Sequence, residues 1–226
     1  MKDGEFLQPY VGSVTIGARN QSHSGIVVAA HSIEEKTPGE IFHMHNITSK
    51  EYNSTKFLSG EHGMLRKGGN VDVAFIPITA SDVTIGSKVR AHNGTVTEVA
   101  WGRLADVERG QHLTAYGWFN NGLGNLMFKN VTEFHGGITF RNMGISEYET
   151  QTGDSGSAIV YHGGDTATLV GVHRGSLCMF DAASEGFPQV DVSGSSLCRD
   201  DPLYRFYKIF SAWENVEDSL NLVRPG

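Results

Sequence analysis

The 226-residue chain has only two cysteines, Cys178 and Cys198, and six prolines. So few cysteines cannot staple a scaffold of this length, which must rest on an apolar core. The pair reads as two free thiols in a reducing compartment, with one bridge across residues 179–197 as the alternative. Long apolar runs are missing as well. No stretch approaches the roughly 18 to 20 residues of a membrane-spanning helix, and no apolar h-region follows Met1-Lys2-Asp3-Gly4-Glu5, so no secretory leader is expected here. A basic excess is also lacking. The net charge is −7, whereas a non-specific nucleic-acid binder needs a basic footprint, and Arg103, Arg109, Lys129 and Arg141 are too scattered to form one. No internal repeat or low-complexity segment occurs.

Glycine is abundant instead, at 28 residues, and short apolar runs lie between turn residues. Val11–Ile16, Gly25–Ala30, Val71–Ile78, Lys88–Ala91, Val96–Trp101 and Leu113–Phe119 read as strands. So do Leu126–Val131, Ile138–Arg141, Ala158–Tyr161, Thr168–Val172 and Tyr204–Phe210. Each is rich in β-branched or aromatic residues and bounded by turn formers. Asn120–Asn125 (NNGLGN) and His162–Asp165 (HGGD) read as hairpin turns, and Pro77 belongs at a strand end because it has no N–H for a ladder. The one helix signal is terminal. Ser211 reads as an N-cap with Glu214 completing a capping box, and Trp213, Val216, Leu220 and Val223 share a face. The irregular stretch from about Phe180 to Asp201 is long enough to be functional or disordered. The fold class is therefore all-β with a C-terminal helix.

Three local patterns carry chemistry. Gly25-Ile26-Val27-Val28-Ala29-Ala30-His31-Ser32 ends an apolar strand in an imidazole. Asn70-Val71-Asp72-Val73-Ala74 places a carboxylate inside an apolar run, where burial without a partner is expensive. Thr152-Gly153-Asp154-Ser155-Gly156-Ser157-Ala158 frames a serine with glycines before a strand. A serine hydroxyl is a poor nucleophile until a base takes its proton. His31 is the candidate base, and Asp72 the group that fixes its tautomer and stabilises the imidazolium. The N–H groups of Gly153 and Ser155 are the candidate oxyanion hole, since glycine at 153 permits the backbone conformation that aims both donors at one point.

GIVVAAHS, NVDVAFIPI and TGDSGSA, in that order, resemble the three motifs of the chymotrypsin-like serine endopeptidases. The resemblance spans roughly Val11 to Val223 and includes the terminal helix. It implies two packed antiparallel β-barrels: residues 1–105 carrying His31 and Asp72, 106–210 carrying Ser155 and the specificity pocket, and a helix over 211–226. In Leu169–Ser176, His173 stands where trypsin-type enzymes have a small residue. Thr150 lies five positions before Ser155. That pair resembles the glutamyl endopeptidases and the arterivirus-type viral main proteases, and implies cleavage after Glu or Gln. Glu149 conflicts, because an acidic residue at its position serves Lys/Arg substrates in trypsin-like enzymes. Asp154 pairs with a cleavage-released N-terminus in zymogen-type relatives, but no Ile-Val-Gly-Gly-like start precedes His31, so no such switch is expected. Glu185-Gly186 is a candidate self-cleavage point.

The source implied is a viral polyprotein-processing enzyme in host cytoplasm, acting on a peptide or polyprotein substrate. The alternatives are a secreted bacterial glutamyl endopeptidase or an inactive binding module of the same fold. The sequons at Asn20, Asn46, Asn53, Asn93 and Asn130 would matter only in a secretory route. No cofactor, metal or nucleic acid is expected. His43, His45 and His62 lack a convincing further zinc ligand, and Trp118-Phe119 reads as strand core. An α/β-hydrolase elbow is rejected, since position 157 is Ser and a suitable Asp then His does not follow Ser155.

Overall fold

The computed structural model describes residues 12–33, 41–43, 57–59, 64–78, 85–91, 93–117, 121–180 and 204–224. The first apolar runs form β1 (Val14–Arg19) and β2 (Ser24–Val28), followed by β3 (Ile41–His43), β4 (Phe57–Ser59), β5 (Leu65–Gly68) and β6 (Val71–Pro77). Their main sheet is antiparallel, in the order β1-β2-β6-β5. Pro77 closes β6, as a residue without an N–H should. β3 pairs with β4. The short strands β7 (Lys88–Arg90) and β8 (Val96–Glu98) also form a pair.

The second half closes on itself. After β9 (Ala100–Trp101) come β10 (His112–Tyr116), β11 (Asn121–His135), β12 (Ile138–Ser146), β13 (Ala158–Gly163), β14 (Thr166–Phe180) and β15 (Tyr204–Ala212). The strand order is β13-β10-β11-β12-β15-β14, and β14 pairs back to β13, which leaves a barrel without a free edge. Strand β9 adds to β14 in parallel. The helix α1 (Trp213–Leu220) buries Trp213, Val216 and Leu220. Those three share one core cluster with Ile16, Val27 and Phe75 of the first sheet and with Val160, Leu169 and Val172 of the barrel. The helix thus seals the junction of the two halves, and Trp213 meets Trp101 edge-on at 5.0 Å.

Several sequence expectations need correction. Residues 121–125 of the NNGLGN segment are strand, not turn, and Asn120 lies outside the described residues: Tyr116↔Asn121 through His112↔Asn125 pair β10 with β11. Its glycines answer a close approach, since a Cβ on Gly122 would overlap the Glu149 carbonyl and one on Gly124 the Tyr148 amide. The capping box does not form. Ala212 is the N-cap residue, without a side-chain cap. Ser211 accepts a bond from the Asp72 N–H instead, and Glu214 one from the Leu104 N–H. Val223 lies beyond the helix end, 53% exposed. The free-thiol reading also fails, because Cys178 is disulfide-bonded. Its sole possible partner within the chain, Cys198, lies outside the described residues, as do 181–203 with Glu185-Gly186. The HGGD turn stands between β13 and β14. The longest hairpin, β11–β12, reverses at Gly136-Gly137, a turn the sequence reading passed over.

Candidate active site

The apolar run of β2 leads into Ala29 and Ala30, both fully buried. Small side chains let the chain bend at once into a single 3-10 turn, Ala30–Ser32, which carries His31. Asp72 is the second residue of β6, the neighbour of β2, and is 1% exposed. The His31 N–H donates to Asp72 Oδ1 at 3.1 Å, and His31 Nδ1 lies 2.8 Å from Oδ2. On the other side of the ring, Nε2 is 2.9 Å from Ser155 Oγ. Burial pushes the Asp72 carboxyl up. The His31 hydrogen bond, the His31 and Arg174 charges and the His31 N–H outweigh it and hold the group below the ordinary carboxylate value.

The turn around Ser155 is gripped from both halves. Ser13 donates its N–H to the Ser155 carbonyl at 2.7 Å and its hydroxyl to the Gly153 carbonyl at 3.2 Å. The Thr15 hydroxyl donates to Gly156 O at 2.6 Å. From the barrel, the Gly156 N–H donates to His173 O at 2.8 Å, and the His173 N–H to Ser157 O at 2.9 Å. Gly153 adopts φ +99° and Gly156 φ +91°, conformations that disfavour any side chain. Among the described residues, neither the Gly153 nor the Ser155 N–H donates to a protein acceptor. Asp154 is fully buried and closes the turn by accepting the Gln151 N–H at 2.9 Å.

His173 is 3% exposed on β14. Its Nδ1 lies 3.0 Å from the hydroxyl of Tyr148, a fully buried side chain absent from the sequence reading. Burial, then the Lys208, His31 and Arg174 charges, lower His173 to about 3, so the ring is neutral at ordinary pH. Thr150, the residue expected to act with it, is half-buried and makes no hydrogen bond to His173. A second unforeseen group stands nearby: Lys208 of β15 donates to Ser176 Oγ at 2.9 Å. Burial lowers its ammonium, while Glu149 and Asp154 pull the other way. Glu149 itself is exposed and within electrostatic reach of that cation.

The sequence offered no signal for Tyr148, Lys208, Arg174 or Glu133. Glu133 sits between Thr132 and Phe134 in a run that reads as solvated, and Arg174 takes its inward position from a bulge between His173 and Gly175. Among the described residues no group of three or more His, Cys, Asp or Glu gathers to hold a metal. The side chains of His43, His45 and His62 lie outside the description. Lys129 is engaged with the Ala105 and Val107 carbonyls, and Arg109 lies over Phe128, so neither contributes to a free basic patch. Among the described residues no helix is long and apolar enough to cross a membrane.

No protein-family model matches the chain, and no curated protein does. Solved structures do resemble it. Thermobifida fusca protease A aligns at 20% identity and TM-score 0.61, covering 95% of this chain and 92% of that one. A glutamic acid-specific serine protease that uses a histidine triad in substrate binding aligns at 14% identity and TM-score 0.63, covering 95% and 93%. Cellulomonas bogoriensis chymotrypsin aligns at 18% identity and TM-score 0.57, covering 95% and 96%. The chain therefore has the chymotrypsin-like two-barrel fold, with one C-terminal helix.

Proposed function

We propose that the chain is a serine endopeptidase that cleaves after Glu, with Gln as a weaker substrate. The carrying observation is the hydrogen-bonded line Asp72–His31–Ser155, at 2.8 and 2.9 Å, where the two halves of the fold meet. In this reading Ser155 Oγ attacks the scissile carbonyl carbon while its proton passes to His31 Nε2. Asp72 holds the proton-bearing Nδ1 and stabilises the imidazolium. The oxyanion of the tetrahedral intermediate takes the free N–H groups of Gly153 and Ser155. Collapse breaks the C–N bond, and the amine leaves with the proton from His31. Water then repeats the sequence on the acyl-enzyme, with His31 again as base.

The neutral His173 supports the acidic-substrate reading. In this reading the Tyr148 hydroxyl, 3.0 Å from Nδ1, donates to it, and the ring keeps its proton at Nε2, which has no other partner among the described residues. That N–H is a fixed donor for a substrate carboxyl or amide oxygen. Lys208 supplies the positive charge that a carboxylate requires and offsets Glu149, whose acidity otherwise argued for Lys/Arg substrates. Thr150 stays a candidate wall of the same pocket.

A secreted bacterial enzyme fits better than a viral one. The neighbours named above from Thermobifida and Cellulomonas are bacterial, and the Cys178 disulfide suits an oxidising compartment. Two measurements test the proposal. A fluorophosphonate probe should label the wild type and not Ser155→Ala, and a peptide library should be cut after Glu. Full cleavage by Ser155→Ala would overturn the mechanism. Preference for Lys or Arg before the scissile bond would overturn the specificity and point to Glu149.

A further inference from the structure

Arg174 follows His173 at the bulge of β14, and its side chain is 9% exposed. Its Nε lies 3.3 Å from Asp72 Oδ2, the same oxygen that faces His31 Nδ1. The N–H is not aligned as a hydrogen bond, so this contact is an ion pair. The far end of the guanidinium, NH1, is bound by Glu133 Oε2, and its Cζ sits 3.9 Å over the Phe140 ring. Glu133 is 5% exposed and stands opposite Phe140 across the β11–β12 hairpin. That hairpin is pinned to the first sheet just before Asp72: the Gly69 N–H donates to Thr139 O at 3.0 Å, and the Arg141 N–H to Gly69 O at 2.5 Å. A second buried carboxylate and a buried guanidinium are therefore delivered beside Asp72.

A lone cation here would neutralise Asp72 and weaken the attraction that favours the His31 imidazolium. With Glu133 present, Asp72, Glu133 and Arg174 carry one net negative charge, the same as Asp72 by itself. The other ionisable groups facing the cluster are His31, His173 and Lys208, His135 at 4.0 Å from Glu133 Oε1, and Lys67 across the ladder from Asp72. We propose that Arg174 is a positioning residue for Asp72, and that Glu133 keeps its charge from cancelling the carboxylate on which His31 depends. The inference rests on the peptidase reading and extends it from three residues to five. The Arg174 guanidinium and the Glu133 carboxylate bond no reacting atom; only the Arg174 backbone carbonyl approaches Ser155 Oγ, at 3.5 Å.

The test is the pH profile of Ser155 labelling by a fluorophosphonate in the full chain, which needs no knowledge of the preferred substrate. Its acid limb reports the protonation of His31. Glu133→Gln leaves the guanidinium unopposed and should move the limb about one pH unit lower and slow the plateau. Arg174→Met should move it about one unit higher. The double variant restores the net charge and should return the limb to within a few tenths of a unit of wild type, and Arg174→Lys should leave it in place. Arg174→Met strands a buried carboxylate and can fail to fold; the double variant and Glu133→Gln then still decide. A limb that stays fixed in Glu133→Gln while only the melting temperature drops would overturn the inference and leave the peptidase reading intact. Absence of labelling in the wild type would instead overturn the peptidase reading.

Discussion

The two halves of the molecule contribute unequally to the candidate site. The first half supplies His31 from the turn after β2 and Asp72 from the neighbouring β6, fixed by a backbone bond and a side-chain bond between them. Among the described residues, most groups that bear on those two come from the closed barrel or its strands: the Ser155 turn, His173 with Tyr148, Lys208, Arg174 with Glu133, and Ser211, while Ser13 and Thr15 of the first half only brace the Ser155 turn. A residue on a strand held between two neighbours can be placed by register alone. A group that must face a substrate or a buried charge from several directions needs the converging strands of a barrel, whose interior is lined from all sides. On the proposed reading, base and orienting acid are therefore kept in one half, and nucleophile, selectivity and charge balance in the other.

The strongest way to break that division is through the line of bonds crossing it. Ser155→Ala should abolish peptide cleavage while leaving the circular dichroism spectrum unchanged, since among the described residues the half-buried hydroxyl bonds only His31 and, weakly at 3.5 Å, the Arg174 carbonyl. Asp72→Asn keeps the shape and removes the charge. With its oxygen held by the His31 N–H, the amide turns its NH2 to Nδ1 and donates there, which imposes the wrong tautomer and leaves the imidazolium unstabilised, so turnover should fall on the order of 10⁴, the loss found when the tautomer is wrong in the Ser-His-Asp template. Single-turnover kinetics with an ester substrate separates this from a folding defect.

How much of this was legible beforehand follows the same split. His31, Asp72 and Ser155 each lie in a local string whose chemistry is readable residue by residue, and the structure brings the three together. Gly153 was readable because a left-handed conformation favours glycine. Arg174 beside Asp72 and Tyr148 beside His173 were not, because those pairs meet through register. Arg174 points inward only because a bulge interrupts β14. Tyr148 reaches His173 only because Gly122 and Gly124 let its segment lie against β11. NNGLGN was misread for that same reason, since glycines that admit a close backbone look like glycines that make a turn. Ser211 and Glu214 fit a capping box in sequence, yet tertiary donors claim both side chains.

Next in size is selectivity, which sharpens the contrast without touching the line of bonds. His173→Ala should lower kcat/KM for Glu substrates by on the order of 10², as loss of a hydrogen bond to a charged group would, with a much smaller effect on fluorophosphonate labelling. Lys208→Met should reduce the preference for Glu over Gln, because it removes charge and leaves the His173 donor in place. If both variants keep the wild-type Glu preference, the barrel side of the comparison loses its selective role.

His173 also predicts a pH dependence of stability. Its folded value is about 3, against about 6.5 for a free imidazole. Above pH 6.5 the ring is neutral in both states and contributes no slope. As pH falls below that, the unfolded chain takes up a proton that the folded chain refuses, so stability drops by at most about 1.4 kcal/mol per pH unit until the folded ring titrates. Asp72 acts lower down: its depressed carboxyl contributes stability above the ordinary carboxylate value, and that contribution disappears as pH falls below it. Denaturant titrations between pH 7 and 4 should therefore show a slope in the wild type that is reduced in His173→Gln. An unchanged slope would mean that the imidazole becomes charged without leaving its site.

The smallest expected effect lies at Ser211, where the barrel reaches back to support the first sheet. Its hydroxyl accepts the Asp72 N–H at 3.0 Å and is fully buried. Ser211→Ala leaves that N–H without an acceptor in a site closed to solvent, which should cost about 1 to 3 kcal/mol of stability by the penalty for an unsatisfied buried donor. The carboxylate itself keeps both His31 contacts and Arg174, so its alignment should loosen only slightly and kcat should fall no more than several-fold. Ser211→Thr retains the oxygen and should recover most of the stability if the added methyl fits. A loss of activity in Ser211→Ala as large as that of Asp72→Asn would mean that the first sheet does not place Asp72 by register, and that the division between a positioning half and an adjusting half is wrong.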